Sequence, residues 1–270
     1  CVQLQKIEYE RTNNMTQMNN KFMDSNILEG MTSISAVLNS EDHNDRRIEK
    51  VWIDAEKKKC KLREIAFLTA KSKDLSFPIE FVTKEQIEEC SVGNTHGGII
   101  AFCTDRTVRA LTADDLEENG FYVYLDGIED PYNFGYTIRS LYAAGVTAVV
   151  MPPRNWMTAA GVVARASAGT SELMPLFSAS SDEIGAIFHA KNYRILCAGI
   201  RDSVSVFEET FKLPLLLVVG GEKRGISRKL LAQADQIVRI DYGRSFRGSL
   251  SAASAATVLA FEIFRQNRKV

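Results

Sequence analysis

From residue 121 to its C-terminus the chain alternates short apolar, β-rich runs with helix-length segments. This alternation narrows the fold to a parallel α/β sheet covered on both faces, because strands buried on both sides read as continuous apolar runs. Strand candidates are 121–126 (F-Y-V-Y-L-D), 146–151, 193–199, 214–219 (P-L-L-L-V-V) and 236–240. Helix candidates lie between them at about 134–144, 158–167, 181–191 and 226–233, with a last one at about 249–266. Ligands of such sheets collect where strand C-termini meet helix N-termini, so the loops after the strands are the places to look for chemistry.

The first half is less regular. Residues 1–25 are polar and lack periodicity, and are expected to form a disordered tail. Residues 26–104 predict a small α/β domain: a short helix and turn over 26–41, strands at 48–54, 79–83 and 98–103, and helices at 56–73 and 84–90. Residues 105–120 are polar and form the natural linker to a second domain over 121–270.

Composition removes several classes. No apolar run approaches the roughly 20 residues of a membrane span, and the first 25 residues lack the apolar stretch of a signal peptide. The five cysteines and three histidines are scattered, with no C-x-x-C, which argues against a disulfide scaffold or a zinc site and fits a reducing cytoplasm. A net charge of −1 argues against non-specific coating of nucleic acid, while local basic patches stay compatible with RNA.

Three blocks carry candidate chemistry. Residues 129–139 read E-D-P-Y-N-F-G-Y-T-I-R and follow a strand. Asn133 can hold that loop through its own backbone, and Arg139 taken alone reads as a solvated helix charge. Residues 218–227 read V-V-G-G-E-K-R-G-I-S. This glycine-rich turn allows close backbone approach to a ligand. It is not a phosphate loop: Ile226 stands where the P-loop lysine is needed, and Glu222 breaks G-x-G-x-x-G. Glu222 alone reads as a charge at a helix start. Residues 248–257 read G-S-L-S-A-A-S-A-A-T, and the small residues suit a closely packed core or dimer helix.

In this order, the three blocks resemble the motifs of the SpoU-type (TrmH-like) branch of the SPOUT RNA methyltransferases. The resemblance covers about 121–266, with N-x-G-x-x-x-R at Asn133, Gly135 and Arg139, the second motif at Gly220, Glu222 and Gly225, and the third at Ser249 and Leu250. Ser251 replaces the family's Asn, and the loop from Ile240 to Ser249 is about one residue longer than usual. Residues 29–104 resemble the family's small substrate-recognition domain, with T-H-G-G-I-I-A at 95–101 as the best local sign; His96 reads as a turn residue.

The resemblance implies a trefoil-knotted SPOUT domain behind a small α/β substrate-recognition domain. It implies an enzyme that uses S-adenosylmethionine, and no metal, to methylate a ribose 2′-hydroxyl in structured ribosomal or transfer RNA. Arg139, Asn133, Glu222 and Ser249 would be catalytic, and Gly220, Gly225, Ile240 and Leu250 would bind the cofactor. It also implies a homodimer whose partner chain completes each site. Loop cations would hold RNA: Arg106, Arg109, Arg154, Arg165, Lys223, Arg224, Arg244 and Arg247. Three other readings compete: a non-catalytic RNA-binding or assembly protein, motivated by Ser251; an unrelated nucleotide-dependent enzyme; and a methyltransferase acting on a small metabolite.

Overall fold

The computed structural model describes residues 26–93, 95–153 and 159–268; the expected tail over 1–25 lies outside them. The chain divides into two compact units, Cys1–Arg106 with Asn155–Arg165, and Thr107–Arg154 with Ala166–Val270.

The first unit contains β1 (Ile27–Glu29), α1 (Gly30–Leu38), β2 (Ile48–Asp54), α2 (Leu62–Leu75), β3 (Ile79–Val82), α3 (Lys84–Cys90) and β4 (Ile99–Cys103). Its sheet runs β1-β4-β2-β3, with β2 and β3 parallel and the other pairs antiparallel. The alternation of β2 works as read: Val51 and Ile53 enter a core with Leu28, Ile34, Leu68, Phe77 and Ile99. The helix expected over 56–73 is instead a 3-10 turn at Ala55–Lys57 followed by α2. The Asp54 carboxylate caps this 3-10 turn by accepting from the Glu56 N–H at 2.9 Å.

A helical segment from the second half of the sequence completes this unit. Ala164 joins its core. Gly161 lies so close to β1 that a Cβ there would sit 2.4 Å from the Ile27 carbonyl oxygen. Glu29, buried at the end of β1, accepts from the Val92 N–H at 2.6 Å and pairs with Arg165 Nη1 at 3.2 Å. Glu29→Ala removes the acceptor of the Val92 and Gly93 amides and one partner of Arg165, so it is expected to destabilise the protein by about 2 kcal/mol. Urea unfolding followed by tryptophan fluorescence checks this; a loss below about 1 kcal/mol would mean that water replaces the carboxylate.

The second unit carries β5 (Phe121–Asp126), α4 (Pro131–Ala143), β6 (Ala148–Met151), α5 (Ala160–Ala166, only its last residue), α6 (Thr170–Leu173), β7 (Leu176–Ser178), α7 (Ile184–His189), β8 (Arg194–Ala198), β9 (Val204–Ser205), β10 (Leu215–Gly220), α8 (Arg228–Leu231), β11 (Gln236–Arg239) and α9 (Ala252–Asn267). The sheet order is β7-β6-β5-β10-β8-β11-β9, and every pairing is parallel. Tyr122, Tyr124, Phe188, Ile195, Leu216 and Val218 form the core on one face. The five strands read from the sequence are present; β7 and β9 are too short to show a period.

Two of the helix starts that differ from the sequence expectation do so for a capping reason. Helix α4 begins three residues early, because Asp130 accepts from the Asn133 N–H at 2.8 Å and Pro131 fills the first helical position. Helix α9 begins at Ala252 rather than 249, because Ser251 caps it through the Ser254 N–H at 3.2 Å. In the 105–120 segment, residues from Thr107 on belong to the second unit, and the Tyr122 hydroxyl fastens them by donating to the Asp115 carbonyl at 3.0 Å.

Candidate active site

Strand β5 opens the second unit, with β6 on one side of it and β10 on the other. Connections leaving adjacent parallel strands in opposite directions open a crevice at the strand C-termini. Here β5 and β10 pair in register with Gly220 opposite Asp126, so the loops that follow both strands rise side by side. These are the loops of the first two sequence blocks.

Glycine geometry brings them close. A Cβ on Gly221 would lie 2.1 Å from the Gly127 carbonyl oxygen, and one on Gly220 would lie 2.3 Å from the Gly225 backbone carbon. Gly225 turns the chain at φ +63°, and its amide donates to the Gly221 carbonyl at 2.9 Å. Asp126 binds both ends of the turn: its carbonyl accepts from the Gly221 N–H at 2.7 Å and its carboxylate from the Ser227 N–H at 2.8 Å.

Between the loops lies a small open cleft lined by Gly127, Ile128, Glu129, Asp130, Asn133, Glu222, Lys223 and Ala252. Across it Asn133 Nδ2 donates to Glu222 Oε1 at 3.2 Å, joining residues 89 positions apart. Lys223 pairs with Glu129 at 3.2 Å. Ala252 brings the start of α9, and with it the third block, to the same wall.

These loops lie within a stretch that matches a known family. The family model for the SpoU rRNA Methylase family matches residues 120–261. The chain belongs to that family. A second model, RNA 2′-O ribose methyltransferase substrate binding, matches residues 27–108. Among curated relatives of this SpoU chain, the 23S rRNA (guanosine-2′-O-)-methyltransferase RlmB of Shewanella oneidensis is 26% identical over 90% of this chain and 98% of its own. The RlmB of Haemophilus influenzae is 28% identical over 71% and 80%. The putative TrmH family tRNA/rRNA methyltransferase YacO of Bacillus subtilis is 26% identical over 84% and 92%. A crystal structure of an RNA 2′-O ribose methyltransferase superposes with a TM-score of 0.74 at 20% identity, covering 94% of this chain and 95% of that one. The AdoMet-bound rRNA methyltransferase of Sinorhizobium meliloti gives the same TM-score and coverage at 19% identity. At that identity the likeness is one of fold.

The SpoU sequence residues fall into three groups. Asn133 and Glu222 meet in the cleft, with Gly220 and Gly225 shaping the turn that carries Glu222. Ile240 and Leu250 are half-buried on the same strand-end side, Ile240 just beyond β11, two strands or about 10 Å across the sheet from β10. Arg139 and Ser249 are exposed and do not line the cleft. Asn133 and Arg139 lie six residues apart on α4, about 120° from each other around the helix, so they project from different faces of it. Ser251, in place of the family Asn, is the cap of α9.

The loop cations divide as sharply. Arg106 is buried and cannot face a solvated RNA, which corrects its reading as a loop cation. Arg109 pairs with Asp115 and lies 4.6 Å over the Phe177 ring; Arg165 pairs with Glu29. Arg224, Arg244 and Arg247 are exposed, and Arg154 lies outside the described residues. Sequence reasoning passed over Asp126, which closes the Gly220–Ser227 turn; its place as the last residue of an apolar strand was the available signal. Burial pushes the Cys197 thiol up to about 12, with the Asp126 charge adding to the effect, so this cysteine is no candidate nucleophile. Among the described residues no group of His, Cys, Asp and Glu is placed to hold a metal, and no helix is long and apolar enough to cross a membrane.

Proposed function

We infer that this protein transfers a methyl group from S-adenosylmethionine to a ribose 2′-hydroxyl of RNA, with ribosomal RNA as the substrate class. The observation that carries this reading is the Asn133–Glu222 contact at the β5/β10 crevice of a SpoU-family chain. The curated relatives named as 23S rRNA methyltransferases support the choice of RNA.

The cleft suits the cofactor chemically. S-adenosylmethionine carries a sulfonium and an ammonium, and Glu129, Asp130 and Glu222 set three carboxylates against the single ammonium of Lys223. Gly127 and Gly225 border open space, which leaves backbone accessible to a ligand. Gly220, Gly225, Ile240 and Leu250 would hold the cofactor. Bound there, it supplies an electrophilic methyl group.

The remaining work falls to side chains. Asn133 and Glu222 fix each other, and so position the reacting ribose for an in-line approach. A guanidinium stays charged in proteins and is a poor base, so Arg139 binds the nucleotide and polarises its hydroxyl rather than accepting the proton. Ser249 adds a hydroxyl that can donate or accept. Arg139 projects about 120° around the helix from Asn133 and does not line the cleft, which supports a second copy of the chain bringing an Arg139 to each cleft. The working enzyme is therefore a homodimer, acting in the cytoplasm, with the knotted threading of its family.

Transfer of tritiated methyl groups into purified ribosomal RNA tests the function. Glu222→Gln is expected to lower kcat about 100-fold and to weaken S-adenosylmethionine binding severalfold, through loss of one of the cleft's carboxylates. A wild-type protein that neither binds S-adenosylmethionine nor labels RNA would sink the reading and favour a non-catalytic RNA-binding role.

A further inference from the structure

The loop between β11 and α9 holds an aromatic pair, Tyr242 and Phe246, that has no part in the proposed methyl transfer. Residues 241–249 are all exposed, and they interleave Tyr242 and Phe246 with Arg244 and Arg247. Phe246 is 59% exposed, a large apolar surface to leave in water. Its ring is nonetheless held in place. It stands 5.7 Å from the Tyr242 ring, and a Cβ on Gly248 would strike it at 2.5 Å, so the ring lies directly over the backbone. Tyr242 is pinned in turn, because its hydroxyl accepts from the Leu250 N–H at 3.2 Å.

The charges of this loop are unbalanced. Its one carboxylate, Asp241, is occupied by Arg239 at 2.8 Å. Arg244 and Arg247 have no ion-pair or hydrogen-bond partner among the described residues, so the loop presents two uncompensated cations beside a preformed aromatic pair. The loop leads into Leu250, two residues before Ala252 in the cleft wall.

The geometry points to a site for single-stranded RNA, in which an unpaired base beside the target ribose stacks on Phe246, braced by Tyr242, while Arg244 and Arg247 take the flanking phosphates. Base stacking on aromatic rings needs an unpaired base, and loop arginines supply the backbone contacts. The inference rests on the proposed function for its position beside the reacting ribose. The competing use of the ring, stacking on the cofactor adenine, is an outcome of the test.

The test uses the full chain with two probes: a fluorescein-labelled 12-nucleotide mixed-sequence RNA single strand, and S-adenosylmethionine by calorimetry. Phe246→Ala is expected to weaken single-strand binding about tenfold, with Phe246→Trp restoring it, and to leave cofactor affinity within threefold of wild type. Arg244→Gln with Arg247→Gln is expected to reduce the slope of log K against log salt by about 1.4. Wild-type RNA affinity in Phe246→Ala would overturn the site, and so would loss of cofactor binding in that variant. If wild-type protein binds the RNA through Phe246 but never binds S-adenosylmethionine, the RNA site stands and the methyltransferase reading falls.

Discussion

Gly220→Ala is expected to reduce methyl transfer by about 100-fold or more and to lower stability by about 2–3 kcal/mol. The new methyl carbon would fall 2.3 Å from the Gly225 carbonyl carbon and 2.4 Å from the Ile226 nitrogen. Both neighbours are backbone, so no side chain can swing aside. The turn must open by about 1 Å, and a displacement of that size at a reacting centre costs on the order of 100-fold in rate. Opening it pulls Glu222 from Asn133 and loosens the Asp126 contacts that close the turn. Gly225→Ala is the control: its Cβ meets nothing within 4 Å, but φ is +63°. It should cost only about 1–2 kcal/mol of backbone strain. Calorimetric cofactor titration and thermal unfolding of both variants separate the two mechanisms. Equal behaviour of the two would mean that strain, rather than close packing, governs the loop.

Arg139→Ala should lower turnover about 100- to 1000-fold while leaving folding and cofactor affinity intact. The rate effect is that of removing one charged donor from a reacting centre. The side chain is exposed and has no hydrogen-bond or ion-pair partner among the described residues, so the change in stability should stay within about 0.5 kcal/mol. Mixing Arg139→Ala with Glu222→Gln chains provides the sharper measurement. If each cleft takes its arginine from a second copy, mixed dimers regain one intact site, and activity returns to a fraction of wild type that depends on mixing. Two inactive proteins that stay inactive together would place Arg139 in its own chain's site or outside the chemistry.

Much of the site was legible because its parts are local. A glycine-rich turn after an apolar strand, a loop with Asp130 and Pro131 ahead of a helix, and small residues at the start of the last helix each leave a short-range signature. The P-loop alternative failed at one residue, Ile226, without any need of coordinates. The orientation of Arg139 was less accessible. Its motif spacing from Asn133 suggests joint action, yet helical geometry turns the two side chains apart once α4 is known to begin at Pro131. Burial of Arg106 was likewise invisible, since a polar stretch of sequence gives no sign of which cation folds inward.

By itself the sequence determined the alternation of strands and helices, the parallel character of the second sheet, the glycine turns and the family. Tertiary structure alone decided that β10 inserts beside β5, that Asn133 thereby meets Glu222, and that residues 159–165 complete the first unit rather than the second. The reason is physical: hydrophobic period and turn chemistry act over a few residues, and they set which face of a strand is buried without naming its neighbour. Strand order follows from the packing of the whole chain, through contacts between residues scores of positions apart.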